Sequence, residues 1–108
     1  MIANQHIHVI DEFNEFMDEE IYQMMVATTE NQDELILENT TTLKVARWWD
    51  KACDIIPCNG GKDIGIQKIL DYYNFNKEEA MAFGDGGNDI SMLKYVGTGV
   101  AMGNAKDD

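Results

Sequence analysis

Hydrophobic and polar positions change rhythm at about the middle of this chain. Between Asp11 and Glu20 a polar background is broken by Phe13, Phe16 and Met17 at helical spacing, which predicts an amphipathic helix. Ile21 to Thr28 is apolar and partly β-branched, and predicts a strand. Glu30 to Leu37 predicts a short helix, with Asn31-Gln32-Asp33 as its polar start. Asn39 to Thr42 is a turn rich in side-chain hydrogen bonders. Leu43 to Trp48 and Ala52 to Ile56 read as two strands around Trp49-Asp50-Lys51. The first half is therefore expected to be a small mixed α/β layer with antiparallel pairing.

From Pro57 onward helix and strand alternate. Asn59-Gly60-Gly61 is a loop, and Lys62 opens a helix carrying Ile66, Ile69, Leu70 and Tyr73 on one face, closed by Asn74 to Asn76. Lys77-Glu78-Glu79 is a short charged turn. Ala80 to Phe83 is a continuous apolar run, as expected of a strand buried on both faces of a parallel sheet. Asp89 to Tyr95 is helical, with Asn88 or Asp89 as N-cap and Gly97 near its C-terminus. Val100 to Met102 is a further short strand. The alternation predicts an α/β fold with a Rossmann-like parallel sheet.

Composition narrows the function classes. The chain has 108 residues, 44% of them hydrophobic, which suits one small domain or part of a larger one. Eight basic residues against twenty acidic ones give a net charge of −12. That surface repels a nucleic-acid backbone and an anionic membrane, so neither is expected as a partner. No apolar run is long enough to span a bilayer, and the first residues lack the pattern of a signal peptide. Cys53 and Cys58 form neither a disulfide framework nor a zinc spacing, and a cytoplasmic setting is expected. Trp48-Trp49 and Tyr72-Tyr73 are expected to serve packing rather than base stacking.

The chemistry concentrates in Ala82 to Leu93, which contains Gly84-Asp85-Gly86-Gly87-Asn88-Asp89. Ligands of open parallel sheets sit beyond the carboxyl ends of the strands, where Asp85 falls. Mg²⁺ takes one or two carboxylates, water and substrate phosphate. Asp85 suits a direct ligand, and Asp89 a direct or water-mediated one. Two readings stand on spacing alone: a cation or phosphate loop, and a glycine turn capped by Asn or Asp. An EF-hand is excluded, because the third-position ligand, the sixth-position Gly and the closing Glu are absent. Lys62 likewise reads either as a point charge for a phosphate or as a solvated first-turn lysine.

Taken together, Lys62 and the 84–89 loop closely resemble the third and fourth motifs of the haloacid dehalogenase-like phosphohydrolases, in particular the Cof-type subgroup with an inserted α/β cap. Ala46-Arg47-Trp48, Asp54-Ile55-Ile56-Pro57 and Gly61-Lys62-Asp63-Ile64-Gly65-Ile66 resemble that subgroup's return from cap to core. Met81 to Leu93 resembles its metal loop, and Val96 to Ala105 the strand after it. The resemblance implies residues 1–56 as part of a cap and 57–108 as part of the core. It implies hydrolysis of a small phosphorylated metabolite through an aspartyl-phosphate, with Mg²⁺ as cofactor. Lys62 would contact phosphate and nucleophile, Asp85 would ligate Mg²⁺, Asp89 would support the ion or its waters, and Asn88 would touch the phosphate or orient the loop.

Two family motifs have no counterpart here, the nucleophile motif and the Ser/Thr motif that follows it. The nucleophile of these enzymes lies in Asp-x-Asp, and no Asp-x-Asp occurs in the sequence. The expectation is therefore a carboxy-terminal portion of a phosphatase, inactive by itself. A core sheet lacking its first strands would expose an edge, so either self-association or marginal stability is expected. The alternative is a non-catalytic acidic module that holds a cation or binds a protein partner.

Overall fold

The computed structural model describes residues 18–105. Two sheets are built, the first ending at Pro57 and the second formed after it. The first is antiparallel, from β1 (Met24–Val26), β2 (Leu43–Trp49) and β3 (Ala52–Pro57) in the order β1-β3-β2. The central position of β3 explains its burial, since both edges are paired: Cys53 and Ile55 are buried, opposite Arg47 and Val45 on β2 and Val26 and Met24 on β1. The β2–β3 hairpin closes over Asp50-Lys51, with a bulge between Arg47 and Trp49. An extra residue there twists the strand end outward. Trp48 and Trp49 accordingly end up exposed rather than packed.

A 3-10 turn over Glu30–Gln32 leads into α1 (Asp33–Leu37), matching the expected short helix. Arg47 fastens this segment to the sheet. Its Nη1 donates to Thr28 O at 2.8 Å, and its Nη2 to Asp33 Oδ1 at 2.5 Å. Most of the helix predicted over Asp11 to Glu20 lies outside the described residues, and residues 18–20 are not helical.

After Pro57 the chain forms α2 (Lys62–Tyr73), β4 (Met81–Gly84), α3 (Ile90–Tyr95) and β5 (Thr98–Ala101). Gly61 precedes α2 at φ 129°, a left-handed-side conformation that an L side chain rarely adopts. Asn74 ends the helix at φ 58°, and the Phe75 N–H donates to Leu70 O at 2.9 Å. Asn tolerates this conformation better than other non-glycine residues.

β4 and β5 pair in parallel through the α3 crossover, with Met81 opposite Thr98 and Gly84 opposite Ala101. This is the expected Rossmann-like unit, although β5 starts two residues before the predicted strand. Burial on both faces of β4 is not observed. Ala82 and Gly84 are buried on the side α3 covers, whereas Met81 and Phe83 point the other way and stay about 60% exposed. Among the described residues no layer lies over that second face.

Candidate active site

Asp85 is the first residue beyond β4, and the loop from it reaches α3 through a 3-10 turn over Gly87–Asp89. The loop folds back tightly on the strand. A Cβ on Gly84 would stand 2.5 Å from Asp89 Cβ, so only glycine lets the Asp89 side chain close over the strand end.

Asp89 is the clasp of the loop. It is 5% exposed. Its Oδ2 accepts the backbone N–H groups of Asp85 at 3.1 Å and Gly86 at 3.2 Å. Its Oδ1 accepts from Lys62 Nζ, forming an ion pair that ties the start of α2 to the loop. Burial pushes the Asp89 carboxyl up. The Lys62 hydrogen bond and the two backbone N–H groups outweigh it, and the group is held below the usual carboxylate range. Asp89 therefore stays ionised as a counter-ion, with both oxygens already engaged.

Asp85 has the opposite environment. It is exposed, and its Oδ2 accepts from Asn104 Nδ2 at 3.0 Å. Asn104 was not singled out from sequence, yet the topology contains the signal. Parallel strands in register end side by side, so residues just after β5 must face the loop just after β4. Trp48, expected to serve packing, lines the site as well. A cavity of about 430 Å³ is lined by Trp48, Lys62, Asp85, Asn88, Asp89 and Asn104, with Gly86 and Gly87 between. All four residues expected from sequence, Lys62, Asp85, Asn88 and Asp89, are thus brought to one cavity.

The donor set can be tested against a cation. No three His, Cys, Asp or Glu residues converge on a metal position among the described residues. With Asp89 committed to Lys62 and the backbone, Asp85 is the carboxylate left facing solvent. One carboxylate suits Mg²⁺, which keeps several waters and completes its shell with phosphate oxygens. It does not suit zinc, which takes three or four protein ligands.

The chain belongs to the haloacid dehalogenase-like hydrolase family, whose model matches residues 2–108. It is similar to an uncharacterized protein in the pdhA 5′ region of Geobacillus stearothermophilus, with 46% identity over 65 residues, 60% of this chain and 68% of that protein. It is also similar to the 5-amino-6-(5-phospho-D-ribitylamino)uracil phosphatase YitU of Bacillus subtilis strain 168. There the identity is 50% over 54 residues, covering 50% of this chain and 20% of the relative. Among solved structures it matches the subclass IIB sugar phosphatase BT4131 with a TM-score of 0.80 and 40% identity, over 89% of this chain and 37% of that one. The chain thus spans little more than a third of the sugar phosphatase's length. Phosphatase relatives and subclass IIB neighbours agree with the Cof-type resemblance, and no helix among the described residues is long and apolar enough to cross a membrane.

Proposed function

We propose that this chain supplies the phosphate-binding and cation-binding half of a Mg²⁺-dependent phosphatase centre acting on a small phosphorylated metabolite. The observation that carries this reading is the Lys62–Asp89 ion pair beside the solvent-facing Asp85 in one cavity. Residues 1–56 belong to the cap and 57–108 to the core in this reading.

Phosphoryl transfer depends on positioning and charge neutralisation more than on covalent work by many groups. The Lys62 side chain is 49% exposed, so its ammonium can donate to a phosphate oxygen while Asp89 holds it in place. Asn88 lies on the same wall, within the cavity's reach of that phosphate. Asp85 would hold the metal, kept in orientation by Asn104. Bound there, Mg²⁺ would screen the negative charge of the phosphoryl group. The family's Asp-x-Asp motif does not occur in this sequence, so in this reading the attacking aspartate belongs to another part of the parent enzyme.

The test uses the chain with inorganic phosphate and p-nitrophenyl phosphate. Calorimetry should show phosphate binding that requires Mg²⁺ and weakens at least about tenfold in Lys62→Ala and in Asp85→Ala, the worth of one charge-assisted contact. No turnover of the ester should occur. Phosphate binding indifferent to Mg²⁺ and to both substitutions would falsify the site. Mg²⁺-dependent turnover lost in Asp85→Ala would show that the nucleophile lies within the chain.

A further inference from the structure

Basic side chains are scarce here, so where the fold gathers them carries information. Five of the eight, Lys44, Arg47, Lys62, Lys68 and Lys94, line one cavity of about 820 Å³ between the β2–β3 hairpin and the helices α2 and α3. Two of the five are already engaged, Arg47 with Asp33 and Lys62 with Asp89. Lys44, Lys68 and Lys94 make no ion pair among the described residues. The acids on the wall are Asp54 and Asp63, and Asp63 Oδ1 already accepts from Ser91 Oγ at 3.3 Å.

The three unpaired lysines come from β2, α2 and α3. The fold, not a local run of charge, brings them together. Like charges in one cleft repel, and in a chain of net charge −12 carboxylates are abundant elsewhere on the surface. A concave wall of one sign focuses potential and raises the local concentration of the opposite ion. The cavity is also the size of a small-molecule site. It is continuous with the smaller one around Asp85, because Lys62, Gly87 and Asn88 line both.

We propose that this cleft is a second anion subsite: the substrate carries, besides the phosphate received at Lys62 and Asp85, a further phosphate or carboxylate held by Lys44, Lys68 and Lys94. This rests on the phosphatase reading above and adds its substrate class, a doubly anionic metabolite.

Calorimetry of the whole chain in Mg²⁺ buffer tests it with glucose 6-phosphate, fructose 1,6-bisphosphate and 6-phosphogluconate. At low salt at least one of the two double anions should bind about tenfold tighter than the monophosphate, the sum of a few partly exposed charge contacts. The advantage should shrink at high salt. A gain for the bisphosphate alone assigns the second group as phosphate, a gain for phosphogluconate alone as carboxylate, and a gain for both as either anion. The triple substitution Lys44→Gln, Lys68→Gln, Lys94→Gln should bring the double anions down to the monophosphate's affinity. The double substitution Lys68→Arg, Lys94→Arg, which preserves charge, should keep the advantage, and thermal melts check that both variants fold. Equal affinities in the unaltered chain, or a preference that survives in the folded glutamine variant, would overturn the proposal. Inorganic phosphate titrated in Mg²⁺ into the folded triple glutamine variant reports on the site of Lys62 and Asp85 without the lysine cleft. Its indifference to Lys62→Ala would sink the phosphatase reading while leaving the lysine-dependent preference to be judged on its own data.

Discussion

Asp89 shows how one side chain can organise a site without being its reactive group. Four connections run through it: two backbone N–H groups, Lys62, and the close approach over Gly84. Asp89→Ala strands those donors in a nearly buried place and should cost about 1–3 kcal/mol, the penalty for unsatisfied polar groups, as read by urea unfolding. Asp89→Asn should cost less, because an amide oxygen can still accept from the backbone. The pH dependence has a definite sign. A carboxyl held below its ordinary value contributes stability that is present above the unfolded value, near 4, and lost as the pH falls through the folded one. The gap in urea midpoint between the unaltered chain and Asp89→Asn should therefore be constant from neutral pH to about 5 and close below 4. A gap that widens on acidification would contradict the arrangement. At this scale the sequence announced the residue types, because Asp85, Asn88 and Asp89 stand in a loop of glycines. It did not announce the division of labour. Whether a carboxylate turns inward to a lysine or outward to solvent depends on contacts 27 residues apart, such as Lys62 to Asp89.

Elements were more legible than contacts, and the reason lies in what each depends on. The β2–β3 hairpin and α2 follow from local periodicity and from residues that stop or start them, and they appear within a residue or two of expectation. Asn74 illustrates the local code. Its left-handed φ of 58° ends α2, and a residue with a plain Cβ pays for that conformation. Asn74→Ala should destabilise the chain by about 1 kcal/mol and Asn74→Gly should not destabilise it at all, a contrast thermal melts resolve. Equal effects of the two would mean that the side-chain amide, not the backbone conformation, matters there. The burial of β4 was misread because a continuous apolar run says nothing about how many layers surround it. The exposed Trp48 was misread because the bulge that turns it outward comes from strand register, which no short window of sequence encodes.

At the scale of the whole molecule two properties oppose one another. Met81 and Phe83 expose one face of β4, and Ile69, Tyr72, Tyr73 and Phe75 expose the end of α2 and the residue pair beyond it. Apolar area of this kind drives association, because burying it removes it from water at about 25 cal/mol per Å². The net charge of −12 resists the same step, since two copies brought together repel. Salt screens that repulsion within a Debye length of about 8 Å at physiological ionic strength and about 3 Å at 1 M, while leaving the apolar term intact or stronger. Sedimentation velocity should therefore show a larger associated fraction at high salt than at low salt, the reverse of an association held by ion pairs. Phe83→Lys removes apolar area at the centre of the β4 face and adds a charge where no described residue covers the sheet, so it should shift the chain toward monomer at every ionic strength. Its thermal midpoint should change little, because a side chain already 59% exposed contributes little to the fold it sits on. A chain that stays monomeric across concentration and salt would instead mean that this face is tolerated in water, and that the acidic surface alone keeps copies apart.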